Sequence, residues 1–548
     1  RGRLHPARVR IAERLGKADD PRVFSLLAIH GAGIPTEFPA EAADQAARAR
    51  FEVPKGYTDL TGLPLVTIDG ADARDFDDAV WAEPDGEGWH LVVAIADVAH
   101  YVPAGSPLDR EAEKRGNSVY LPDRVVPMLP EALSNGLCSL VPGEERLCLA
   151  ADLWIDGDGN LSRHRFRRGV MRSHARLTYE QVQAARDGSP DETTAALLDT
   201  AIALLYGAFA ALSKAREARG TLDLDLPERV VRIGEDGHVV GIAERTRLDS
   251  HRLIEEFMIA ANVAAAESLA GSRLGCIYRV HDAPDPTRLD ALRDALSPLG
   301  YRLAKGQVIR PRAFTQVLDR VRGTAQAPLV NELILRSQAQ AAYSPDNIGH
   351  FGLALPLYAH FTSPIRRYAD LTVHRALIRR FSLGSDGTTE EEQERLEEVA
   401  EHISVTERRA AAAEREAVDR FTAAFLMGRI GEVFSGRIMG VTRFGLFVRL
   451  AETGADGLVP VSTLPDDFYH HDEAAHCLVG RRWGRVFGLG APVTVRLVQA
   501  EPLTGGCLLN LVDADEGAPG ELAPRAMVPG AHAARPRGRP PQRGKRRR

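Results

Sequence analysis

Residues 69–78 read Asp-Gly-Ala-Asp-Ala-Arg-Asp-Phe-Asp-Asp and set five carboxylates between the apolar stretches Leu65–Ile68 and Ala79–Trp81. A chain that leaves one strand and enters the next through such a run brings like charges to one sheet edge. Within the run only Arg74 can offset them. The crowding calls for a bound cation, because mutual repulsion otherwise disfavours the ionised state. A set of hard oxygen donors suits Mg²⁺ or Mn²⁺ better than zinc. An EF-hand loop would need ligands at alternate positions, a central Gly and a distal Glu, a register this run lacks. The competing reading is a solvated acidic turn. Asp75 and Asp77 share one side of an extended chain while Asp78 points away, so gathering them requires a turn or bulge.

At 548 residues the chain is too long for one core and should divide into domains. Hydrophobic residues make up 44% and charged residues 26%, as in ordinary globular proteins. The five cysteines are scattered, with no Cys-x-x-Cys pair, which fits a reducing cytoplasm and not a zinc cage. The most apolar run, Leu91–Ala99, is broken by Asp97 and falls short of the roughly 20 residues a span needs, so no membrane segment is expected. Net charge is −6, but the last 14 residues hold seven Arg and one Lys, leaving −14 on residues 1–534. The overall charge argues weakly against nucleic acid. What governs phosphate binding is the local field in a groove.

Strands are predicted at Leu65–Ile68 and Leu91–Ile95, the second apolar almost throughout and so buried on both faces. Helical patterns occupy Asp191–Arg219, Arg252–Ala270, Pro286–Leu299 and Thr389–Met427. The mixture implies an α/β or α+β domain with a central sheet. From Gly431 the pattern turns to short alternating strands punctuated by Gly436, Gly440 and Gly445, continuing at Gly457–Val461, Val493–Val498 and Cys507–Val512. This is small-barrel patterning. Four parts are expected: a helical linker over 1–48, a mixed α/β catalytic domain over 49–427, an all-β OB-type barrel over 428–513, and a disordered basic tail over 514–548.

The segment Thr67–Val80 closely resembles the signature of the ribonuclease II and ribonuclease R family of 3′-to-5′ exoribonucleases. Ser118–Pro130, Leu253–Asn262 and His360–Asp370 resemble further segments of that family in the same order, and the barrel resembles its S1-type RNA-binding domain. Residues 343–354 and the basic tail lean towards the ribonuclease R branch. The resemblance implies an RNB-type catalytic domain followed by an S1-type OB barrel, acting hydrolytically and processively on single-stranded RNA to release 5′-mononucleotides. It also implies Asp69, Asp75, Asp77 and Asp78 as metal ligands for Mg²⁺, with Mn²⁺ able to substitute, and Asp77 as the aspartate on which turnover depends most. Asp72 falls where the family uses no ligand. Family members usually carry cold-shock domains before the catalytic part, and nothing here resembles them. The chain opens on Arg1, so an N-terminally truncated member is expected.

A cationic donor near the scissile phosphate is needed as well, and Arg366 and Arg367 are the candidates, aimed by the bend or helix start that Pro364 favours. By resemblance Arg366 is the catalytic one and Arg367 binds the RNA backbone. Tyr120 and Glu414 resemble family residues beside the RNA. In the barrel, exposed Phe444 and Phe447 would stack bases, although strand alternation could equally bury one of them. The histidines show no ligand spacing and are read as structural or substrate-facing. No Walker loop is present, so ATP is not expected, and a monomer is. Two rival readings are a noncatalytic RNA-binding or chaperone protein built on the OB domain and a metal-dependent DNA nuclease.

Overall fold

The computed structural model describes residues 11–512 apart from 12, 18, 19, 227, 306, 307 and 474, so the expected basic tail lies outside the described residues. Its centre is a sheet of seven strands: β1 (Thr58–Asp59), β2 (Val66–Asp69), β3 (Asp78–Asp85), β4 (Gly88–Ala96), β5 (Glu145–Ile155), β6 (Leu161–Arg172) and β7 (Ala175–Thr178). The strand order is β1-β6-β5-β4-β3-β2-β7. The inner pairs are antiparallel, and the two edge strands β1 and β7 run parallel to their neighbours.

Alternation along the strands sends side chains to two separate cores. Val80, Leu91, Val93 and Ile95 face one side, where they meet the helices Ala203–Arg219 and Asp249–Ala270. Ala79, Trp81, Val92, Ala94 and Ala96 face the other, against Ala42, Leu108, Ile365 and Ile403. The central sheet is therefore covered on both faces, which is why β4 reads as an unbroken apolar run. Both strands and the helical patterns predicted for this region recur within a few residues of their expected bounds.

Among the described residues one helical stretch, 192–219, is long and apolar enough to cross a membrane by length and composition. Its Leu205, Ala208 and Leu212 pack into the sheet core, and a Cβ at Gly207 would come within 2.3 Å of the Trp89 ring. Small residues here allow close approach of helix to sheet, and a third of its most apolar window is buried by that packing.

The long helix Leu396–Met427 leads into the second all-β element. Strands β8 (Val433–Thr442), β9 (Gly445–Leu450) and β10 (Asp456–Pro460) are followed by a three-stranded insert of β11 (Tyr469–Asp472), β12 (Cys477–Gly480) and β13 (Val486–Gly488). Strands β14 (Pro492–Glu501) and β15 (Gly506–Leu511) then close a five-stranded barrel in the order β8-β9-β10-β15-β14. Leu426 at the helix end enters the barrel core beside Phe434, Val448 and Leu497. The barrel matches the expected small-barrel pattern, whereas the insert sheet was not foreseen.

The helix Tyr368–Phe381 follows the Arg366-Arg367 pair and is pinned by a buried ionic network. Arg375, with no exposed surface, donates to Asp109 Oδ1 at 2.7 Å, to Glu392 Oε1 at 2.6 Å and to the Val102 carbonyl at 2.6 Å. The Tyr368 hydroxyl donates to the same Asp109 oxygen at 3.0 Å. Breaking a buried pair strands the partner charge, so Arg375→Leu is expected to cost about 3–5 kcal/mol. Urea unfolding measures this, and a midpoint equal to that of the unaltered protein would contradict the role given to the network.

Candidate active site

Asp69 ends β2 and Asp78 begins β3, and the chain between them is a loop tied down by backbone contacts. The Ala96 N–H donates to the Asp77 carbonyl at 2.9 Å and the Leu140 N–H to the Phe76 carbonyl at 3.0 Å. The Ser139 hydroxyl bridges the Phe76 N–H and the Arg74 carbonyl. Arg176 Nη2 donates to the carbonyls of Gly70 and Ala71 at 2.8 and 2.7 Å. Phe76 is buried, and Asp72 and Arg74 are turned to solvent. The turn that the spacing required is present, and it leaves Asp72 exposed while Asp77 is buried.

The segment around Pro364 closes over this loop. Ile365 N–H donates to Asp77 Oδ1 at 2.9 Å, and Arg366 Nε lies 3.5 Å from Asp77 Oδ2. Ser363 N–H is held by Asp370 Oδ1 at 2.7 Å, and Arg366 Nη2 donates to the Ser363 hydroxyl at 3.0 Å. Pro364 thus sits in a turn, and the helix proper starts at Tyr368. Arg366 is 43% exposed, open to an incoming anion. Arg367, which the resemblance assigns to the RNA backbone, forms a two-point bond with buried Asp370 through its Nε and Nη2, both at 2.8 Å. The planar guanidinium satisfies a carboxylate of its own helix turn.

Tyr120 and Glu414 are brought to the same place. The Tyr120 hydroxyl donates to Asp75 Oδ2 at 2.7 Å, and its N–H donates to Glu414 Oε1 at 3.0 Å. Two fifths of Tyr120 is exposed, while its hydroxyl stays protonated because burial and then the Asp75 charge push it up. Burial also raises Glu414. Phe444 and Phe447 are both exposed on the barrel, 6.2 Å apart and edge to face, so neither is core. A bulge between Ile438 and Gly440 on β8 shifts the register opposite Phe447. Phe447 also lines a cleft of about 510 Å³ between barrel and helices, with Arg288, Arg336 and Arg449 but none of the four aspartates.

Tyr179 and Arg176 went unnoticed in the sequence. Asp69 pairs with Thr178 in the parallel register of β2 and β7, which brings Tyr179 beside the cluster, stacked on His251 at 4.0 Å. Burial, then Asp78 and Asp69, raise its hydroxyl. The Thr178-x-x-Gln181 capping box was the readable signal of a helix start there.

Burial dominates the electrostatics of the carboxylates. Asp69 is pushed up to about 6, burial acting first and the charge of Asp75 next, against Arg366 and Arg176. Asp77 and Asp78 are pushed well above the usual carboxylate range by burial, with Arg366 opposing in both cases. Asp69 Oδ2 and Asp78 Oδ2 are buried without a hydrogen-bond partner. Orphaned carboxylate oxygens of this kind fit a hard divalent cation, which supplies the missing countercharge. Among the described residues, however, no three His, Cys, Asp or Glu side chains already converge on one point. Asp75 is turned to Tyr120, so a shared ion requires side-chain rotation.

Comparison with known proteins gives the family. Residues 57–381 match the family described as RNB domain and residues 429–482 the S1 RNA binding domain. The ribonuclease R of Escherichia coli is 42% identical over 503 residues, covering 89% of this chain and 62% of that protein. That of Thermotoga maritima is 41% identical over 524 residues, covering 92% and 73%. The structure of Mycoplasma genitalium RNase R in complex with ribose-methylated single-stranded RNA superposes with a TM-score of 0.85 at 31% identity, covering 91% of this chain and 79% of that one. The chain thus spans about three fifths of the length of the first of these relatives.

The raised carboxyls make a signed prediction for the metal-free protein. Folded Asp69 holds its proton above the unfolded value of 3.8, so the stability it contributes is complete below 3.8 and is lost as pH rises through about 6. Asp77 and Asp78 extend the loss upwards. The melting midpoint of EDTA-treated protein should fall over this window, Asp78→Asn should flatten the fall, and Mg²⁺ should restore the midpoint at its upper end. A midpoint insensitive to all three treatments would count against the buried cluster.

Proposed function

Because this chain belongs to the RNB-domain family of ribonucleases II and R, we propose that it is a hydrolytic 3′-to-5′ exoribonuclease of the ribonuclease R type, releasing 5′-mononucleotides from single-stranded RNA in a Mg²⁺-dependent reaction. The observation that carries this reading is the meeting of two segments about 290 residues apart in sequence: four aspartates at one strand edge, and half-exposed Arg366 with its Nε 3.5 Å from Asp77. We take residues 49–427 as the catalytic part and 428–513 as the RNA-holding barrel.

Asp69, Asp75, Asp77 and Asp78 would hold the divalent ions, which when bound activate a water and take up charge on the departing 3′ oxygen. The chain's own residues do the rest. Ile365 N–H orients Asp77 through Oδ1. Arg366, exposed on one side and paired with Asp77 on the other, meets the reacting phosphate and offsets its developing charge. Tyr120 fixes one oxygen of Asp75 and offers its ring to a base. The removal of single nucleotides without base preference needs stacking rather than base-edge readout, which exposed Phe444 and Phe447 supply at about 1–3 kcal/mol per base. The Mycoplasma relative's complex with single-stranded RNA supports the same substrate class. Five unpaired cysteines, four of them buried, suit a reducing cytoplasm.

The noncatalytic alternative is disfavoured by the retention of all four aspartates together with Arg366, since a vestigial site has no need of buried, unpaired carboxylate oxygens. The decisive assay uses 5′-labelled single-stranded RNA and DNA with Mg²⁺, with and without EDTA. Stepwise shortening of RNA that EDTA stops is expected. Asp77→Asn should abolish it while leaving binding intact, and Arg366→Ala should slow it by about 10²–10³. Binding without shortening would establish the chaperone reading instead, and equal loss of DNA would establish a general nuclease. In the same assay Phe444→Ala should weaken RNA binding by a few-fold to about 100-fold, and unchanged affinity would remove the barrel face from the binding path.

A further inference from the structure

The insert sheet carries a feature unlike the rest of the barrel. Strands β12 and β13 are joined by Arg481-Arg482-Trp483-Gly484-Arg485, all exposed. Trp483 is 69% exposed and Phe468, just before β11, 76%. Tryptophan is highly buried on average, and the chain's other three are buried or half-buried.

The display is built and not incidental. The Asp467 carboxylate accepts three backbone N–H bonds, from Phe468 at 2.7 Å, Arg482 at 2.8 Å and Trp483 at 2.9 Å. A Cβ at Gly480 would fall 2.3 Å from Asp467 Oδ2, so glycine there is what admits the carboxylate. Gly484 takes a left-handed φ of +66° to complete the turn, and the Arg481 N–H donates to the Phe468 carbonyl at 2.9 Å. One buttress therefore holds both aromatic residues and the arginines at a single tip, with the Asp467 carboxylate met by three backbone N–H groups and by the charge of Arg482. Asp466 is the exposed acid flanking it.

We infer that this tip is a second single-stranded RNA contact, separate from Phe444 and Phe447, in which Trp483 and Phe468 stack bases while Arg481 and Arg482 meet phosphates. The inference rests on the RNA-degrading reading above. Stacking platforms interleaved with cations suit a strand of any sequence. Protein hot spots also favour Trp and Arg but lie at the desolvated centre of a broad interface, whereas this tip is a narrow hairpin whose residues 481–486 are all exposed.

The test is made on the full chain carrying Asp77→Asn, so that binding is read without cleavage. The probe is oligouridylate longer than the roughly 16 nucleotides one OB fold spans. Binding should quench tryptophan fluorescence, and Trp483→Ala should remove the quench and weaken affinity about fivefold or more. Trp483→Phe should retain affinity without the quench. Arg481→Ser with Arg482→Ser should make the slope of log affinity against log salt shallower by about 0.7 for each phosphate that is no longer neutralised. Equal affinity and equal slope in these variants, while Phe444→Ala still weakens binding, would overturn this inference alone. Absence of RNA binding by the parent would overturn it together with the functional reading. Loss of a protein partner with RNA binding unchanged would assign the tip to protein docking and overturn it as well.

Discussion

Burial of negative charge organises this molecule. Asp77 is almost fully enclosed, and one of its oxygens is met by the backbone N–H of Ile365, so a carboxylate in the strand-edge loop and a turn far along the chain hold each other in place. Neither could stand alone. Without Ile365 and Arg366, the two groups that favour the ionised form, burial would hold the Asp77 proton still more firmly, and without Asp77 the Thr362–Arg367 turn would lose the hydrogen bond that aims Arg366.

The surrounding fold serves to make that meeting rigid. A sheet covered on both faces fixes the ends of β2 and β3. The helix that follows Arg367 is locked by Asp370 at its first turn and by Arg375 in its middle. Two adjacent and chemically identical arginines differ in their surroundings: Arg367 is paired with Asp370 in the turn, and Arg366 is half-exposed beside Asp77. The barrel is joined to the same body through the Leu396–Met427 helix, whose Phe421 packs edge to face on Phe24 at 5.4 Å and whose Leu426 enters the barrel core. Glu332 accepts from Arg449 at 2.6 Å and pairs also with Arg336, clamping the barrel against the helix Ala327–Ser337.

Much of this was legible in residue order. The β4 strand announced itself because a run buried on two faces has no polar side, and the barrel announced itself through alternating apolar positions broken by glycine. The acidic run was legible because its crowding has few chemical explanations. The three-stranded insert was missed: its strands are short, and Asp466, His470, His471 and Asp472 hide any periodicity. Tyr179 was missed because its nearness to Asp69 arises from a parallel pairing of β2 with β7, which no local pattern encodes.

Residue order by itself determined the crowding of carboxylates, the preference of such oxygens for a hard divalent cation and the two kinds of domain, since these follow from charge spacing and hydrophobic period, which are properties of neighbours in the chain. Tertiary structure alone decided that Arg367 pairs with Asp370 while Arg366 stays half-exposed beside Asp77, that both barrel phenylalanines are exposed, and that Asp69 Oδ2 and Asp78 Oδ2 lack partners. Each of those depends on what distant segments contribute to one small volume, and desolvation there is set by the enclosing packing and not by sequence neighbours.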